Sequence, residues 1–177
     1  MLVSLLIAVF IHEAGHILAA HCVGVRLDRL RPTATGLRLI PSCGAFPSYR
    51  AERTVALGGP LANLLSAPLF FVLFPASSPL GELAPLSLYL GLRNLLPIRA
   101  FDGGRALFCW LCSRRAWLPD RAERVLSTLS AVVLLLLWTV AVYLLLRCGS
   151  ALSLYLFCLQ LFRCVLDDAD ASRSSVP

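Results

Sequence analysis

Long apolar runs alternate with short connectors that carry arginine or are rich in proline, serine and glycine. The first run extends from Met1 to about Val25 and the second from about Thr54 to Phe74. Each reaches the ~18–20 residues that a helix needs to cross the hydrocarbon core of a bilayer. A third run begins near Leu86, but Pro97 and the pair Gly103-Gly104 interrupt it. Proline removes a backbone donor and adjacent glycines weaken a helix. The pattern therefore predicts a helix, a broken stretch around Pro97–Gly104 and a short helix resuming at Arg105. Val125 to Leu146 reads as a plain transmembrane helix with almost no polar side chains, and Ala151 to Leu166 as a shorter last span. After the first run, residues 26–53 are polar, and Pro32, Gly36, Pro41 and Gly44 punctuate "GLRLI" and its neighbours. Such punctuation predicts short strands or a hairpin rather than a helix. The expected fold class is an all-α polytopic membrane protein with about five to six transmembrane helices. A short strand or hairpin region follows the first helix, and the broken helix falls at the Asp-Gly-Gly motif. Residues 1–166 form the membrane-embedded domain, and the polar tail 167–177, "DDADASRSSVP", is expected to be disordered.

Composition supports the pattern. Hydrophobic residues make up 58% of the 177 positions, more than a soluble core requires. All sixteen basic residues are arginine, and the formal charge is +6. They lie mainly between the apolar runs, which fits cytoplasmic loops and anionic headgroups and argues against nucleic acid as a partner. The loops at 26–53 and 113–124 are arginine-rich, whereas the connector "PASSPLGELAP" has none. The first two then face the cytoplasm, and alternation places the N-terminus outside and the C-terminus in the cytoplasm. Seven scattered cysteines, several inside apolar runs, do not form a secreted disulfide framework and read as small buried hydrophobes. The first run does not read as a cleavable signal, because cleavage after it would discard its polar residues.

Those polar residues carry the chemistry. "HEAGH" is His12-Glu13-Ala14-Gly15-His16. Four positions apart on a helix, the two histidines share a face and can bind one metal ion. Glu13 lies about 100° around from His12, at the rim, where it can take a proton from water activated by the ion. A zinc ion lowers the pKa of such a water towards ~7. His12 lies about 16 Å along the helix from Met1, near mid-membrane, where ionisable groups mark functional sites. The competing role is hydrogen bonding between helices. A catalytic zinc usually takes three protein ligands. His21 lies five positions beyond His16, off the metal face, and reads as interfacial; Cys109 and Cys112 follow the helix break rather than line it. Asp102 is better placed, because broken backbone lets a short carboxylate point into the bundle, where it must be paired or metal-bound. Its alternative role is a helix cap.

Together "IHEAGH", "LGGPLANLL" and "NLLPIRAFDGGRAL" resemble the three signatures of the site-2 proteases, the intramembrane zinc metalloproteases, in order and separation. The likeness is greatest to the branch containing the stage IV sporulation protease, which releases a sigma factor from its membrane-bound precursor in endospore-forming bacteria. It covers roughly Met1 to Leu166. The resemblance implies that His12, His16 and Asp102 hold one zinc ion and that Glu13 activates water. It makes residues 1–166 a metalloprotease domain. Asn63 matches a position associated with the active site or substrate, its other role being a helix–helix hydrogen bond. Asn94 matches the asparagine before the aspartate motif and is expected to support that turn. That branch carries a further helix before its HExxH helix, a nucleotide-sensing domain after the membrane part is common in it, and some relatives carry a PDZ insert. Here eleven residues precede His12, and neither domain is represented.

The implied function is a zinc metalloendopeptidase that hydrolyses a peptide bond in or next to the membrane segment of a membrane-associated protein substrate, such as a sigma-factor precursor. Its partners are that substrate, the lipid bilayer and regulatory membrane proteins, and its location a bacterial cell membrane. The alternative is a catalytically inactive metal-binding or structural membrane protein that binds substrates or partners. Glu13 favours the enzyme, since ion binding alone needs no glutamate after the first histidine. The strand region could present an edge to which an extended substrate adds.

Overall fold

The computed structural model describes residues 2–33, 36–41, 44–78, 80–114 and 118–148, with residues 159 and 162 in addition. Apart from those two residues, the expected last span from Ala151 to Leu166 lies outside the described residues, as does the tail 167–177. Helix α1 (Leu2–Cys22) is followed by strands β1 (Leu27–Thr33) and β2 (Gly36–Pro41). Then come α2 (Tyr49–Leu73), α3 (Leu83–Leu95), α4 (Asp102–Cys112) and α5 (Pro119–Cys148).

Which face of α1 turns inward follows from residue size. Ser4, Ala8, His12, Gly15, His16 and Ala20 are buried and recur at intervals of about one turn. Leu2, Leu6, Phe10 and Leu18 point outward, each 60% exposed or more. In lipid there is no hydrophobic gain from hiding leucine, so helices meet through small and polar residues that allow close approach. The inward stripe of α2 follows the same rule, with Ala51, Val55, Ala56, Gly59, Pro60, Asn63 and Ala67. A side-chain carbon added at Gly15 would lie 2.5 Å from the carbonyl oxygen of Gly58, and one at Gly58 equally close to that of Gly15. Ala62 and Ala19 flank that crossing. The two helices thus touch backbone to backbone through a small-xxx-small pair on each side.

Helix α2 is central, packing against α1, α3 and α4. Ser48 caps it by accepting the N–H of Ala51, and the helix runs on through Pro60 and Pro68. Its first turn is tied to α4 by Arg105, which donates from Nε to Glu52 Oε1 at 2.9 Å and stacks over Phe46. Strands β1 and β2 pair antiparallel from Thr33 opposite Gly36 to Leu27 opposite Pro41, with an irregularity between Leu27 and Arg29.

The sequence predicts about five to six spans. Among the described residues, three helices are long and apolar enough to cross a membrane: α1, α2 and α5. Two things separate the numbers: the expected last span lies outside the described residues but for two of them, and the third apolar run, split as expected, gives helices of 13 and 11 residues, each too short alone. The break also differs from expectation. It occupies only residues 96–101, and α4 resumes at Asp102, three residues before Arg105. Phe101 stands in extended conformation as N-cap, and its carbonyl accepts the N–H of Arg105. An acidic first residue suits the positive end of a helix, so both glycines are held inside the first turn. Ile98 and Phe101 pack against Leu134 of α5, which makes α5 the wall behind the break. From that wall Ser130 Oγ accepts the N–H of Arg99 at 3.1 Å, while donating to Leu126 of its own helix at 2.7 Å. Arg99 also pairs with Glu123.

Candidate metal centre

Helix α1 supplies two imidazoles from adjacent turns, and their rings meet edge to face. The first residue of α4 brings a carboxylate across to them from ninety positions away. His12 Nε2 lies 3.0 Å from Asp102 Oδ2 and 3.2 Å from His16 Nε2, and His16 Nε2 lies 3.4 Å from the same oxygen. A tetrahedral zinc with bonds of ~2.0–2.2 Å would hold its ligand atoms about 3.3–3.6 Å apart. The 3.4 Å edge falls within that range, and the 3.2 and 3.0 Å edges are slightly shorter, so a small outward shift of the ligand atoms would admit the ion.

The chemistry of the donors points the same way. His16 Nδ1 is 2.7 Å from the carbonyl oxygen of Val55. A carbonyl has no proton to give, and its contact is much shorter than the 3.3 Å to the Gly59 N–H on the same atom, so Nδ1 is assigned as the donor and the lone pair of the neutral ring to Nε2. That lone pair faces a second ring nitrogen and a carboxylate oxygen. Acceptors converging on one point are satisfied by a cation or by a shared proton. Among the described residues His12, His16 and Asp102 are the group of side chains able to hold a metal ion.

Further residues shape this centre. Asn63 is wholly buried, and its Nδ2 lies 3.3 Å from His12 Nδ1. Gly59 lies flat against His16, and a side chain there would run into the imidazole. Glu13 is half-buried on α1, next in the chain to His12. Asp102 does not cap its helix: the N-cap is Phe101, and the carboxylate turns to the histidines.

Of the residues singled out in the sequence, His12, His16, Asp102 and Asn63 come together. Asn94 is half-buried near the end of α3, and among the described residues no hydrogen bond links it to the other four. His21 is exposed in the last turn of α1. Cys109 is buried and Cys112 half-buried on α4, and neither joins the group. Sequence reasoning missed the Val55 carbonyl, the seat on Gly59 and Ser130 behind the break. Only Gly59 left a sign, as part of "GGPLAN".

Fold and site together define a polytopic helical bundle with a histidine–histidine–aspartate cluster between its helices. The family model of Peptidase family M50 matches residues 74–137, which takes in α3, the break with Asp102, α4 and much of α5. Helix α1, with "HEAGH", lies outside the matched stretch. No curated protein matches the sequence. Among solved structures, the fold is similar to that of the site-2 protease from Methanocaldococcus jannaschii. The TM-score is 0.68 at 22% identity, over 93% of this chain and 75% of that one.

Proposed function

We propose that this protein is an intramembrane zinc metalloendopeptidase of the site-2 protease type, with His12, His16 and Asp102 as ligands to one ion and Glu13 as general base. The observation that carries the reading is the convergence of Nε2, Nε2 and Oδ2 atoms within 3.0–3.4 Å of one another, near the spacing of a tetrahedral ion's ligands and one residue from a glutamate. A zinc ion bound there supplies Lewis acidity, acidifying water and polarising a scissile carbonyl.

The chain's own residues do the rest. Glu13 accepts the proton of the attacking water and passes it to the departing amine, which would otherwise leave as an unstable anion. His12 and His16 are buried while the Asp102 side chain stays partly exposed, so the cluster is screened from bulk water on the α1 side and open to it at the carboxylate. Substrate must be locally extended, because a helical carbonyl is already hydrogen-bonded and shielded. The β1–β2 pair has an outer edge on each strand to which such a segment could add. In this reading α3, the break and α4 together make one interrupted crossing, residues 26–53 and 113–124 face the cytoplasm, and so does the C-terminus. The substrate class is a membrane-tethered regulatory protein, such as a sigma-factor precursor in a sporulating bacterium.

The test is co-expression with candidate membrane-tethered transcription factors, comparing wild type with Glu13→Gln, alongside zinc analysis of the detergent-purified protein. Cleavage by wild type alone, with zinc near one per chain, is the expected result. Processing that continues unchanged in Glu13→Gln removes the protease assignment, and zinc retained without cleavage of any candidate favours the inactive alternative.

A further inference from the structure

One amide next to the cluster is oriented for a different state from the one the proposed function needs. Asn63 is completely buried; its Nδ2 faces His12 Nδ1 at 3.3 Å, and its Oδ1 is buried with no hydrogen-bond partner among the described residues. An amide N–H so turned can be donated to His12 only if Nδ1 is unprotonated, and in that tautomer the proton of the neutral ring sits on Nε2, which lies 3.0 Å from Asp102 Oδ2. A protonated Nε2 cannot ligate a metal. His16 is already in the opposite tautomer, because its Nδ1 donates to the Val55 carbonyl.

We propose that Asn63 is the positioning residue of the metal centre: in the zinc-loaded protein its amide stands half a turn round, and Oδ1 accepts Nδ1–H from His12. The inference rests on the zinc assignment above and adds the way in which the second ligand is prepared. The two ends of an amide have nearly the same shape, so the half-turn needs no movement of helix or backbone. The proton count is conserved: the neutral imidazole of His12 keeps one proton, exchanged from Nε2 to Nδ1. Both ligands are then held alike, each ring donating from Nδ1 to an oxygen of α2 and offering the Nε2 lone pair to the ion. Such partners fix the tautomer and orientation of metal-bound histidines and raise their basicity. Helix α2 thereby acts as the supporting shell of a site whose ligands stand on α1 and α4.

Zinc affinity of the detergent-purified full chain, measured by competition with a chromophoric chelator, tests this without reference to catalysis. Asn63→Leu fills the same volume with no acceptor and is expected to weaken zinc binding by about 10- to 100-fold. Asn63→Asp has acceptors only, so it can take Nδ1–H but cannot reproduce the donated bond of the zinc-free arrangement. It is expected to bind zinc as tightly as wild type or more so. Wild-type affinity in Asn63→Leu, or Asn63→Asp as weak as Asn63→Leu, overturns the proposal. Nitrogen-15 spectra of wild-type protein labelled at its three histidines give a readout that requires no variant to fold. On zinc addition His12 and His16 should both show a protonated Nδ1 and a ligating Nε2, and an unprotonated Nδ1 on His12 refutes it. Wild type that takes up no zinc sinks the protease assignment itself, a result distinct from any of these.

Discussion

Glu13 and His12 are neighbours in the chain to which the proposed function gives different tasks, and a single substitution separates them. Replacing Glu13 by Gln keeps its size but removes its basicity. Zinc content should stay near the wild-type level while cleavage in proteoliposomes falls by about 10²- to 10⁴-fold. Joint loss of zinc and activity would instead make Glu13 part of the metal's holding set. Gly59 touches His16 through the space it leaves open as well as through its N–H, 3.3 Å from Nδ1. A methyl group there meets the His16 ring, and forced overpacking of this kind costs about 1–3 kcal/mol. Gly59→Ala should therefore release zinc at a lower chelator concentration than wild type; an unchanged titration would show that the ring has room to move. At this scale much was legible. The four-residue spacing of His12 and His16 specifies a shared face on any helix. Asp102 could be picked out by the broken backbone around it, whereas the seat of His16 on Gly59 needs two helices and is invisible in one.

At the scale of elements, two contacts hold the proposed ligands in register. The first is the backbone crossing of α1 and α2 at Gly15 and Gly58. Gly58→Leu should prevent that approach, and helical protein that no longer retains zinc is the expected outcome by circular dichroism and metal analysis. The second is Ser130, which holds the turn ahead of Asp102 through the N–H of Arg99. Hydrogen bonds between membrane helices are worth about 0.6–2 kcal/mol. Ser130→Ala should lower stability in detergent by about that amount. It should also weaken zinc binding, because the residues leading to Asp102 lose their anchor; a stability loss with unaltered zinc affinity would confine Ser130 to packing. Small residues at spacing four are visible in both helices, yet one sequence does not say which pairs with which. Ser130 is one hydroxyl in a long apolar helix, where serine usually bonds its own preceding turn, as it also does here with Leu126.

For the molecule as a whole, the proposed ligands on α1 and α4 imply that zinc binds the assembled bundle and not its parts. Ligand at a thousandfold its dissociation constant adds about 4.1 kcal/mol. Zinc should raise the thermal midpoint in detergent markedly, and a chelator should reverse the rise. Equal midpoints with and without the ion would mean that the three ligand atoms do not act together. Orientation can be checked independently. Cys22 is exposed at the end of α1 adjoining the arginine-rich stretch, so as the single cysteine of a variant it should react with an impermeant maleimide from the cytoplasmic side only.

The membrane class of this protein, its HExxH helix and the break before Asp102 follow from local physics. Length, apolarity, helical period and the backbone habits of proline and glycine act within a few residues and can be read in order along the chain. The division of the third run was legible in the same way, but the extent of the break and the orientation of both imidazoles depend on contacts between residues tens of positions apart. Those contacts are made by carbonyls, glycines and one serine, groups that occur throughout any membrane helix. They acquire a role only when packing places them against a particular ring or turn, and tertiary structure alone decides that.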